Sequence, residues 1–203
     1  IGTTIGAIAG IVLGNNIGGG NKGRNKVIGA VAGAAIGGAV GYSMDNQAKE
    51  VAQSLNTNVN NNPTAALDPN QDLIVSNTDN YVKIMFRDDM MFETNSENPT
   101  YAAGTKISKI TTVLQKYPNT LVQVVGHTDS RGTHAYNLAL SEKRATNVGN
   151  IINSTGVQNQ IFSKGCSFDK PIALNNSVAN MGLNRRVEVY LYPNQQSVID
   201  VCR

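Results

Sequence analysis

The sequence predicts an α/β (α+β) domain of βαβαββ order, a mixed sheet with two covering helices, preceded by an N-terminal helical hairpin. Three observations carry this reading: apolar runs alternate with helix-period segments from residue 73 to 193, glycine recurs every fourth residue before residue 42, and an Asn- and Pro-rich stretch separates the two. The expected divisions are 1–55 for hairpin and stalk, 56–72 for a flexible linker, 73–193 for the compact domain and 194–203 for a tail.

Gly2, Gly6, Gly10, Gly14 and Gly18 keep a period of four, and Gly29, Gly33, Gly37 and Gly41 repeat it. On a helix, glycines one turn apart clear a stripe along which a second backbone can approach. Each costs about 1 kcal/mol relative to Ala in a helix interior, so such a segment needs a compensating surface. Lys22, Arg24 and Lys26 sit in the connection between two apolar arms, and the second arm, Val27 to Met44, approaches the ~20 residues that cross a hydrocarbon core. We therefore expect a glycine-zipper helical hairpin, inserted in a membrane or packed on copies of itself, with a basic turn suited to anionic lipid. Its helix is expected to run on through Asp45, Asn46 and Gln47 to Leu55 as a polar stalk. Beyond it, NTNVNNNPTAALDPNQ has too few apolar residues for a core and reads as a solvated tether.

In the compact domain, Leu73–Val75 and Tyr81–Phe86 flank a turn-forming Ser76–Asn80. Thr100–Lys116 carries Ile107, Ile110 and Leu114 at helical spacing. Leu121–Val125 reads as a buried strand stopping at Gly126. Thr133 is a plausible N-cap for a helix to about Ser154, with Leu138, Ala145, Val148 and Ile152 on one face. Ile161–Lys164 and Arg186–Tyr192 are the closing strands, expected to add an antiparallel component to a sheet with parallel pairs.

The segment Gly126–Arg144 is the candidate site. It sets Asp129 in a loop, and it sets Arg144 on a helix stripe shared with Asn137 and Ser141, leaving a slot between opposite charges that suits a zwitterion. Plainer roles exist for each: Asp129 as the cap of its own turn, Arg144 as half of a surface ion pair worth about 0–1 kcal/mol. His127, Asp129 and Ser130 or Ser141 lack the strained nucleophile turn of a hydrolase. His127 and His134 lack further ligands at zinc spacing. No enzyme and no cofactor is expected. A net charge of +3 and a pI near 8.9 do not call for nucleic acid. Cys166 and Cys202 suit an oxidising compartment if they pair, which spacing alone leaves open.

T-D-x-x-G at Thr128–Gly132, N-x-x-L-S-x-x-R-A at Asn137–Ala145 and N-R-R-V-E at Asn184–Glu188 occur in that order. With these motifs residues 73–193 resemble the C-terminal domain shared by OmpA, Pal and MotB, an OmpA-like sandwich that binds bacterial peptidoglycan. The resemblance implies noncovalent recognition of meso-diaminopimelate in the stem peptide. Asp129 would take its ammonium, Arg144 its carboxylate, Asn137 would add an amide contact, and Thr94 and Asn95 would help close the pocket. Thr128, Gly132, Ser141, Arg185 and Arg186 would support it, at least one of the two arginines only by bracing the sheet edge or the pocket wall. The turn Gly165-Cys166-Ser167-Phe168-Asp169-Lys170-Pro171 departs from the G-x-G-E-like turn usual in that family.

A glycine hairpin ahead of such a domain resembles the YiaD type of outer-membrane lipoprotein. That likeness implies an outer-membrane location on the periplasmic face of a Gram-negative envelope, a membrane contact through the hairpin, and an export signal with a lipid anchor ahead of Ile1. The alternative is a structural subunit of an envelope-spanning secretion or motor assembly, with the hairpin driving oligomerisation.

Overall fold

The computed structural model describes residues 43–94 and 96–203; the glycine hairpin expected over the first 42 residues lies outside them. A helix, α1, covers 43–54. Strands β1 (Leu73–Asn77) and β2 (Val82–Arg87) form an antiparallel hairpin, with Leu73 opposite Phe86 and Asn77 opposite Val82. A single turn, α2 (Asp88–Met91), leads to α3 (Tyr101–Leu114), β3 (Leu121–His127), α4 (His134–Ser154), β4 (Ile161–Gly165), α5 (Val178–Asn184) and β5 (Arg186–Tyr192).

The five strands make one mixed sheet in the order β1-β2-β5-β3-β4. Strand β3 is parallel to β4, and β5 is antiparallel to both β2 and β3. The two closing strands are therefore not neighbours, because β5 enters the centre of the sheet. Composition explains the sorting. All seven residues of β5, RVEVYLY, are buried, as a central strand requires. Strand β4, IFSKG, buries only Gly165 and takes the edge, where its exposed Ser163 and Lys164 discourage further pairing.

Alternation along the strands gives the sheet two faces. Val82, Ile84, Phe86, Val122, Val124, Val187, Val189 and Leu191 pack with α3 and α4 in the main core. The opposite face is covered by irregular chain. Val125, Tyr190 and Tyr192 pack with Val201 of the C-terminal tail, and Ile74 and Met85 pack with Ala65. The tail is fastened there by a disulfide between Cys166 and Cys202.

Residues 43–55 are no polar stalk. Met44, Ala48, Val51, Ala52 and Leu55 recur on one side of α1 and are buried in the main core. Gln47 is buried with them and donates to Thr120 Oγ1 at 3.0 Å, while Glu50 accepts from Lys116 and Tyr117. Lys49 is exposed on the outer side, and Asp45 is tied to β1, accepting from Asn77 Nδ2 at 2.5 Å. Residues 56–72 also have a seat on the domain. The Asn60 N–H donates to the Val75 carbonyl at 2.8 Å, the side chains of Asn61 and Asn77 bond at 3.0 Å, and Arg87 donates to the Ala66 carbonyl at 2.6 Å. The asparagines that signalled solvent in the sequence are used as hydrogen-bonding partners of β1.

Candidate functional site

Strand β3 delivers Thr128 and Asp129 to the loop before α4, and the loop is held from three sides. The Arg131 N–H donates to Asp129 Oδ1 at 3.0 Å, closing an Asx turn. Gly132 adopts φ +89°, which favours glycine, and Thr133 caps α4 by accepting the Tyr136 N–H at 3.2 Å. Thr128 N–H donates to the Ser167 carbonyl at 2.9 Å. Helix α4 sits directly over the sheet because Gly126 has no side chain: a Cβ there would overlap the Ser141 backbone. The Ser141 hydroxyl donates to the Leu138 carbonyl and accepts the Ser167 N–H at 3.0 Å, so it joins α4 to the Cys166 turn.

Asp129 and Arg144 lie at two stations of one ladder of charges. Asp129 accepts from Arg131 Nε and Nη2 and, at 3.0 Å, from Arg185 Nη1. Arg185 Nε lies 3.7 Å from Asp88 Oδ2, and Asp88 Oδ1 lies 2.7 Å from Arg144 Nη1. Arg144 also directs Nε and Nη2 to the Ser96 carbonyl at 3.1 and 3.0 Å, with its guanidinium 4.6 Å from the Phe92 ring centroid. Asp129 and Arg144 are both buried. The expected open slot is thus replaced by internal ion pairs, with Asp88 and Arg185 standing between the two residues.

The carboxylates in this ladder are perturbed in opposite directions. Burial pushes Asp129 up, but the hydrogen bonds from Arg131 and Arg185 prevail and hold it below its ordinary value. For Asp88 burial wins over the attraction of Arg144 and Arg185, and its carboxyl is raised.

Other sequence-selected residues divide between site and scaffold. Asn137 is buried and donates to the Arg131 and Thr133 carbonyls, which makes it a brace for the Asp129 loop. Thr94 is exposed and lines an open hollow with Asp89, Phe92, Glu93 and Thr100. That hollow adjoins the ladder through Phe92 and Asp89. Asn95 lies outside the described residues. Arg186 is turned to Glu188, at 2.9 Å, and to the Asn184 and Lys170 carbonyls, so of the two arginines only Arg185 reaches Asp129. His127 pairs with Glu188 at 3.3 Å, away from Asp129 and Ser141. Among the described residues no group of three or more His, Cys, Asp or Glu is placed to hold a metal.

Sequence reasoning missed Asp88, Arg131 and Phe92. The signal for Asp88 was an acidic pair, Asp88-Asp89, at the end of a strand whose neighbour begins at Arg186, directly after Arg185.

Residues 91–185 match the model of the OmpA family, and residues 1–45 match that of the glycine zipper 2TM domain. The chain is 36% identical over 103 residues to the probable lipoprotein YiaD of Escherichia coli K12, covering 50% of this chain and 47% of that one. It is 35% identical over 96 residues to the peptidoglycan-associated lipoprotein of Buchnera aphidicola, covering 47% and 54%. The chain spans about half the length of these curated relatives. Among solved structures, the cell wall anchor of the T6SS from Pseudomonas aeruginosa superposes with a TM-score of 0.55 at 28% identity, over 61% of this chain and 90% of that one. The mixed five-stranded sheet, the ordered motifs and these matches together make residues 91–185 similar to the OmpA family, and residues 1–45 similar to the glycine zipper 2TM domain.

Proposed function

We propose that this domain is a noncovalent peptidoglycan-binding module, gripping the zwitterionic head group of meso-diaminopimelate between Asp129 and Arg144 and tethering a membrane-associated N-terminal segment to the wall. The observation that carries this reading is the ladder itself, which holds a buried carboxylate and a buried guanidinium in one connected network beside an open hollow. A ligand ammonium on Asp129 would replace Arg131, whose side chain is 63% exposed and can move into water without leaving a buried charge unpaired. A ligand carboxylate on Arg144 meets a planar fork already oriented by Ser96 and Phe92. Such charge-assisted bonds contribute about 1.5–3 kcal/mol each.

The relatives support the same reading at a coarser level, since one is named for association with peptidoglycan and one structure is a cell wall anchor. On this reading the protein is a binding protein rather than an enzyme. It stands at the periplasmic face of a Gram-negative outer membrane, held by the glycine hairpin and a lipid anchor. The second reading, a subunit of an envelope-spanning assembly, is favoured by the likeness to the T6SS anchor. Size-exclusion chromatography of the full chain with and without residues 1–42 tests it: a large assembly that survives in detergent and needs the hairpin would favour it.

The binding reading is tested by sedimenting the full chain with purified sacculi. The chain should enter the pellet, and Asp129→Asn and Arg144→Ala should each remain in the supernatant while retaining the circular dichroism of the parent. Unchanged sedimentation of both variants would overturn the assignment.

A further inference from the structure

The charge ladder contains a carboxylate that does not belong to either half of the proposed grip. Asp88 opens the one-turn helix α2 at the end of β2, where its N–H donates to the Arg185 carbonyl. Its side chain is 13% exposed and lies against two arginines, 2.7 Å from Arg144 Nη1 and 3.7 Å from Arg185 Nε.

Arg144 does not need Asp88 to hold its orientation. Nε and Nη2 are both directed to the Ser96 carbonyl, and the Phe92 ring covers one guanidinium face. Asp88 occupies the remaining end, at Nη1. A carboxylate arriving from outside seeks that end, because bidentate pairing uses two adjacent guanidinium nitrogens. The Asp88 carboxylate is therefore chemically the same kind of partner as the incoming group and sits where that group would bind.

We propose that Asp88 is a specificity-setting internal competitor, a built-in carboxylate that occupies Arg144 and yields only to a ligand that brings both a carboxylate for Arg144 and an ammonium for Asp129. A ligand with a carboxylate alone exchanges one anion for another on Arg144 and leaves Asp88 to find a new partner. A ligand with both charges also supplies a cation to the ladder: with the ammonium on Asp129 in place of Arg131, Asp129 leans less on Arg185, and the displaced Asp88 can turn to Arg185, already 3.7 Å away. Selection for a zwitterion then follows from the exchange of partners, with no further contact required. The raised Asp88 carboxyl agrees with a group whose burial is incompletely compensated by its arginines.

This inference rests on the binding reading above, and one experiment separates the two. Affinities of meso-diaminopimelate, of pimelate and of 1,5-diaminopentane are measured by NMR titration of the full chain, for the parent, Asp88→Asn and Asp129→Asn. Loss of Asp88's charge should tighten pimelate by about tenfold or more, a factor corresponding to ~1.4 kcal/mol. It should tighten meso-diaminopimelate less and leave the diamine unchanged, so that preference for the zwitterion over the dicarboxylate narrows. In the parent, the ¹³C carboxyl resonance of Asp88 should shift on saturation with meso-diaminopimelate. Equal or weaker pimelate binding by Asp88→Asn, or an unmoved Asp88 resonance in a parent that binds, would overturn the competitor while leaving the grip intact. Failure of parent and Asp88→Asn alike to bind meso-diaminopimelate would overturn both.

Discussion

Replacing Val51 by Ala tests whether the N-terminal helix belongs to the domain. Val51 is fully buried in the main core, on the side of α1 shared with Met44, Ala48, Ala52 and Leu55. The substitution removes two methyl groups' worth of buried surface, about 1.6 kcal/mol at ~0.8 kcal/mol per buried CH₂. The cavity left behind adds to this, bringing the expected loss to about 2–3 kcal/mol. For a domain of this size that is a fall in Tm of roughly 5–10 °C, at about 2–4 °C per kcal/mol. Guanidinium unfolding of the full chain, followed by tyrosine fluorescence since the chain has seven Tyr and no Trp, measures it directly. Lys49→Ala on the exposed side of the same helix is the control and should stay within about 0.5 kcal/mol of the parent. A Val51→Ala loss no larger than that of Lys49→Ala would refute the packing of α1 and restore the solvated stalk.

Further outcomes follow from single features. Gly126→Ala should destabilise the domain by at least about 2 kcal/mol, because its Cβ meets the Ser141 backbone rather than a movable side-chain tip; a melt unchanged from the parent would contradict the close approach of α4. Replacing Cys166 and Cys202 together by Ser opens a crosslink across a sequence separation of 36, and chain-entropy arithmetic sets the expected loss at about 4 kcal/mol, read by thermal melts with and without reductant. Asn184→Ala removes a buried amide that accepts from the Ile172 and Ala173 N–H groups and donates to Asn175, whose side chain in turn accepts the Ser130 N–H; it should cost about 1–3 kcal/mol and increase amide exchange at Ser130. For pH, Asp129 has a carboxyl lower in the folded chain than in the unfolded one. The unfolded chain therefore binds its proton first as pH falls. The stability Asp129 contributes is complete above the ordinary carboxylate value near 3.8 and is lost as pH drops through its lower folded value. Asp129→Asn should flatten the acid limb of a stability–pH curve, and an unaltered limb would contradict the ion pairs drawn here.

Local pattern carried the strands and the two long helices. Runs such as VQVV and RVEVYLY have few other ways to satisfy burial, and Thr133 marks the start of α4 as a cap. The strand order was not legible, because inserting β5 between β2 and β3 depends on which strand can be buried on both faces, a comparison among distant segments. Residues 43–72 misled for a related reason. The density of Asp, Asn, Gln and Lys suggested solvent, although Met44, Ala48, Val51 and Leu55 form a stripe at helical spacing. The charged ends of the candidate site, Asp129 and Arg144, stood out through their motifs. Asp88 did not, since its meaning comes from an arginine 56 residues later that only the folded chain brings to 2.7 Å.

The seating of α1 alters how force enters the molecule. A floppy cord would let any pull on the upstream segment dissipate as slack before reaching the globule. With Val51 and Leu55 locked among the sheet and helices, tension applied at residue 43 is borne at once by the hydrophobic interior. The domain would resist as a rigid mount, yielding by shearing a whole helix free rather than by straightening a loose thread.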